Sequence, residues 1–219
     1  MKKQTKRIDW ENQSPSFLSA FLLDYSSKQD SSEVDAREYL DCFISCSNDP
    51  VLRAKAIKGL LDAAEHDETM RAWNAVRIIG MFEDKSTEPA LLKLFRSKFP
   101  KSKIKTLASI PKGITEEGCL LSSLVSALIN TRSVRGIKIA RYLNRVFSNT
   151  DLAPLILLEL RRFARDQGRI EPELESAWQA KADPRLIEIE KGTTEGIPFK
   201  EIDARARKIL KVGAKWVQK

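Results

Sequence analysis

Two consecutive stretches decide how the chain folds: residues 49–61, DPVLRAKAIKGLL, and residues 67–82, DETMRAWNAVRIIGMF. In each, an acid (Asp49 or Asp67) opens the segment and an arginine (Arg53 or Arg71) follows four residues later. Small residues, including Ala56 and Ala75, then precede an apolar run. An acid at that position can accept hydrogen bonds from the free amides of a helix start. The arginine can pair with an acid on a neighbouring helix, and the alanines let helices approach closely. A third stretch, residues 131–143, TRSVRGIKIARYL, echoes the pattern with Arg135 and Ala140.

Apolar residues recur at helical spacing on both sides of these segments. Ser14-Pro15 starts a helix that carries Phe17, Phe21, Leu22 and Leu23. Further helices are predicted at 33–46, 50–65, 68–83, 87–98, 115–130, 133–147, 151–167, 171–181, 184–191 and 198–217. Turn chemistry separates them in SNDP (47–50), EDKSTEP (83–89), IPKG (110–113), SNTD (148–151) and KGTTEGIP (191–198). Pro100 and Pro111 bracket KSKIKTLASI, which reads as a short helix or an extended connector. No run alternates apolar and polar residues, so strands are not expected. The fold class is therefore all-α, with antiparallel helix pairs joined by short turns. The core is expected to hold Ile57, Leu60, Leu61, Val76, Ile79, Phe82, Leu124, Leu128, Leu143, Phe147, Leu157 and Leu160.

The Asp-x-x-x-Arg segments followed by alanine resemble the helices of HEAT-like repeats, most clearly over 49–98 and more weakly over 115–167. The resemblance implies a curved stack of helix pairs, an α-solenoid, with an extended surface for a macromolecule. On that reading residues 1–13 form a loose polar arm. Residues 14–168 form the repeat region, and residues 169–219 a less regular cap with a basic final helix. The run E-x-G-x-x-x-G-I-P-x-x-E-I from Glu190 to Ile202 also looks like the tail of small bacterial antitoxin components. The plainer reading of the run is a Gly-Pro turn before a last amphipathic helix that caps the stack.

The 219 residues suffice for a sizeable core, and a net charge of +8 biases partners toward polyanions or acidic surfaces. Cys42, Cys46 and Cys119 make no disulfide framework, and no long apolar run suggests a membrane span or an export signal. A cytoplasmic setting is expected. The single histidine, His66, leaves no two-histidine metal site within one chain, and the cysteines lack zinc spacing. No P-loop, GxGxxG or GxSxG motif occurs, so neither cofactor, metal nor catalytic residue is expected. Some basic HEAT-like proteins are DNA glycosylases, but Trp10, Trp73, Trp178 and Trp216 match no such site. Trp73, set among alanines, reads as core.

The charge concentrates in the middle and the end of the chain. On a helix over 133–147, Lys138, Arg141 and Arg145 fall within roughly 60° of one another. With Arg132 and Arg135 they form a stripe, and Arg161, Arg162, Arg165 and Arg169 form a second on the next helix. Stacked helices would merge the two. Lys93 to Lys112 and the final helix are also basic. The stripes are either solvated outer faces or docking surfaces. The leading functional expectation is a non-catalytic adaptor that docks a macromolecule through a basic or concave surface. The alternatives are a nucleic-acid-binding protein, with a glycosylase as a minor variant, and an immunity or antitoxin protein that blocks a toxin.

Overall fold

The computed structural model describes residues 8–27, 33–169 and 171–181. Among them lie ten α-helices, one short 3₁₀ helix and no strand. The helices are α1 Pro15–Ser27, α2 Glu33–Asn48, α3 Pro50–His66, α4 Thr69–Met81 and α5 Glu88–Lys98. They continue with α6 Lys101–Ala108, α7 Glu116–Asn130, α8 Val134–Val146, α9 Ala153–Asp166 and α10 Pro172–Lys181. The described residues are all-α, and Pro100–Pro111 holds a helix, α6. The helices predicted at 184–191 and 198–217, Trp216 and the run from Glu190 lie outside the described residues.

Asp49 caps α3 as its position suggests, accepting from the amides of Val51 and Leu52 at 2.8 and 3.3 Å. Asp67 does not cap α4. That helix starts later, at Thr69 after Glu68, and Asp67 accepts from Arg71 Nε at 2.8 Å instead. Arg71 also reaches Asp24 of α1, and Arg53 donates to Asp84 at 3.0 Å and to the Ser47 carbonyl at 2.7 Å. Both arginines therefore tie helix ends together.

The chain forms two compact units that part after Glu175, within α10. All that follows concerns the first. Arg53 near the start of α3 meets Asp84 beyond the end of α4, so these helices are antiparallel. Gly136 near the start of α8 lies against Leu128 near the end of α7, so the two helices pack closely beside the turn that joins them. Gly80 near the end of α4 faces Ala127 near the end of α7, and Gly118 near the start of α7 faces Leu152 just before α9. Thus α4, α7 and α9 run in one direction. Lys98 donates to the Glu65 carbonyl, and Ser133 donates to Glu88, so α3, α5 and α8 run in the other.

The α7 sequence GCLLSSLVSALIN carries no charge, because this helix packs against α4, α5, α8 and α9. Its Leu121, Leu124 and Leu128 are wholly buried. Eleven of the twelve expected core residues are buried, and Leu61 is partly so. Trp73 is half-buried, with Arg77 over its ring at 5.4 Å. Trp10 lies in the stretch expected to be a loose arm, yet it is 6% exposed. Its ring packs on Phe21, and its indole N–H reaches Asp41 at 3.0 Å. A large apolar ring with one polar handle is buried wherever that handle finds an acceptor.

Candidate polyanion-binding face

Helix α8 presents two unlike sides. Gly136, Ala140, Leu143 and Phe147 are buried, while Arg135, Lys138, Arg141, Tyr142 and Arg145 are exposed. Ser133 caps the helix, accepting from the amides of Arg135 and Gly136 at 3.1 Å each. The close seat of α8 on α7 depends on Gly136, where an added Cβ would stand 2.7 Å from the Leu128 carbonyl oxygen. Sequence and packing together thus press one side inward and leave the cations outward.

No acid occurs from Thr131 to Thr150. Arg135, Lys138 and Arg145 have no ion-pair or hydrogen-bond partner among the described residues. Arg141 differs: its Nη2 donates to both Glu171 oxygens, at 2.7 and 2.8 Å. Arg132 is not on the helix. It occupies the left-handed region at φ 56° in the turn that closes α7, and its side chain is exposed.

The α9 cations do not join this face. Arg161 is 5% exposed and grips Glu175 with Nε at 2.8 Å and Nη2 at 2.7 Å. Arg165 reaches the same carboxylate at 3.2 Å. Arg161 is thus a buried structural pair, while Arg165 is paired to the same carboxylate with its side chain about half exposed. The hydrogen bond from Arg161, aided by its charge and by Arg165, lowers the Glu175 pKa. Arg162 and Arg132 line a small cleft with Glu83, Glu159 and Asp166, so acids neighbour both cations without an ion pair to either among the described residues. Arg169 is exposed beyond the end of α9. The expected merged patch is therefore reduced to Arg135, Lys138 and Arg145 around Tyr142.

Sequence reasoning missed Glu171 and Glu175. Their spacing of four in EPELES is a usable signal, because it puts both acids on one side of a helical turn. The other cationic stretch is also partly engaged: Lys98 holds the Glu65 carbonyl, and Lys103 pairs with Glu117 at 2.7 Å.

Other chemistry is sparse among the described residues. No group of three or more His, Cys, Asp or Glu side chains is placed to hold a metal ion. His66 is exposed at the end of α3, as a helix C-terminus favours. Cys42 and Cys46 are buried on α2, and the hydrogen bond between them, with burial, pushes the Cys42 pKa up. No described helix is long and apolar enough to cross a membrane. A cleft of about 850 Å³ lies among α1, α3 and α5, but its Arg71 and Asp67 are tied to each other. No family model, curated protein or solved structure matches the chain.

Proposed function

We propose that this chain is a non-catalytic binding module that docks an anionic macromolecular partner through the outer face of α8. The observation that carries the reading is the contrast within the basic residues. Arg141, Arg161 and Arg165 are matched by acids, while Arg135, Lys138 and Arg145 stand open on an acid-free helix. A cation already paired to a carboxylate offers an incoming anion little, whereas an open row keeps its full field. Arginine forks suit phosphate and carboxylate groups alike.

We further read the helix pairs α3/α4, α5/α7 and α8/α9 as HEAT-like units with α6 inserted in the second. The two oppositely directed series, α3, α5, α8 and α4, α7, α9, support that reading. A stack of this kind offers a rigid surface for a macromolecule. Free thiols at Cys42, Cys46 and Cys119 suit a reducing cytoplasm.

The test is retention on immobilised heparin across a salt gradient. The triple variant Arg135→Glu/Lys138→Glu/Arg145→Glu should elute well before the wild-type chain. A control with the same charge change elsewhere, Lys85→Glu/Lys101→Glu/Lys105→Glu, should elute later than that variant. Equal elution of the two triples would mean that only net charge matters, and the α8 face would lose its role.

A further inference from the structure

We infer that the polyanion is a single-stranded nucleic acid, held with a base stacked on Tyr142 and phosphates on Lys138 and Arg145. This rests on the reading of α8 as the docking face and names what docks there.

Tyr142 is the observation that separates the candidates. It is 47% exposed, on the same side of α8 as the open cations. Its ring and hydroxyl have no partner among the described residues. Large aromatic side chains are normally drawn inward, as Phe147 on the same helix is, at 0% exposed. Lys138 lies one turn before Tyr142 and Arg145 about one turn after it, so the two cations bracket the ring over about 10 Å of helix. Arg141, the cation adjacent in sequence, is drawn aside to Glu171 and leaves the ring uncovered.

An exposed aromatic ring bracketed by cations is the arrangement that single strands use. Their bases are free to stack, and their backbone supplies a regular row of charge. A duplex keeps its bases stacked internally and gives the ring no partner. An acidic protein surface carries scattered carboxylates mixed with apolar groups, and it makes no demand for a face free of acids. The absence of any acid from Thr131 to Thr150 removes the repulsion that a continuous phosphate chain would otherwise meet. Arg135 extends the same face toward the start of α8, where the strand can continue.

The experiment is fluorescence anisotropy on the full chain over about 50 to 200 mM salt. The probes are a labelled DNA single strand of about 20 nucleotides, the matching RNA strand, the corresponding duplex, and labelled polyglutamate. Single strands should bind at least about tenfold more tightly than the duplex or polyglutamate. Tyr142→Ala should weaken single-strand binding about tenfold, while Tyr142→Phe keeps it and duplex binding stays unchanged. Tyr142 is exposed, so the alanine variant is expected to fold, and circular dichroism checks this. Duplex or polyglutamate binding as tight as single-strand binding would overturn the inference, as would a silent Tyr142→Ala. If heparin retention through α8 persists in that case, the docking face stands and only the single strand falls. Loss of both removes the face itself.

Discussion

Arg161 and Arg141 are both arginines matched to a glutamate, and burial makes them unequal. The Arg161 side chain is 6% exposed and that of Arg141 is 53% exposed. Removing Glu175 takes two short charge-assisted hydrogen bonds from a buried guanidinium, which should cost about 2–3 kcal/mol. Removing Glu171 should cost less than about 1 kcal/mol, because water replaces the lost partner. Urea denaturation of Glu175→Ala and Glu171→Ala would measure the difference, and equal losses would contradict it. The Glu175 pKa is depressed in the folded chain. Its contribution is therefore complete above the unfolded glutamate pKa, about 4.3, and is lost as pH falls through the lower folded value. The same measurement repeated toward acid pH should show the wild type converging on Glu175→Ala.

Arg132 holds a backbone conformation that few side chains adopt. Its φ of 56° suits glycine better than arginine. Arg132→Gly should raise stability by up to about 1 kcal/mol, since the left-handed penalty exceeds the extra chain entropy of glycine. Thermal denaturation measures the change, and a fall in stability would show that the arginine side chain also supports the fold.

At the scale of elements, the α7/α8 contact positions the candidate face. Gly136 lets the α8 backbone approach the Leu128 carbonyl, and backbone cannot move aside as a flexible side chain can. Gly136→Ala raises the intrinsic helix propensity by about 1 kcal/mol, and on an exposed surface it would stabilise. Here it should destabilise, by about 1–3 kcal/mol, because the clash exceeds that gain. A stability increase in denaturant melts would mean that the helices separate easily and that α8 is not held as described. Asp67 carries a related lesson. Asp49 and Asp67 occupy equivalent places in the sequence, yet only Asp49 caps. A proline follows Asp49 and forces the helix to begin there, whereas Asp67 is followed by Glu68 and Thr69 and turns to Arg71.

At the scale of the first compact unit, the helices and their apolar sides follow from spacing alone. Leu124 and Leu128 on α7, Ala140 and Leu143 on α8, and Leu157 and Leu160 on α9 repeat at three- and four-residue intervals. Each such stripe must find cover, so the core residues were legible in advance. The turn residues between stripes were legible for the same local reason, and so was the outward side of α8. Which cations stay open was not legible. A stripe on α8 and a stripe on α9 look alike in sequence, and local spacing carries no information about residues thirty positions away. Glu171 reaches Arg141, and Glu175 reaches Arg161 and Arg165, only after α8, α9 and the start of α10 have packed. Trp10 followed the same rule, since its acceptor, Asp41, lies on another helix. Short-range periodicity determined the all-α class and the inward sides. Long-range ion pairing, set by packing and desolvation, decided which basic residues remain free to meet a partner.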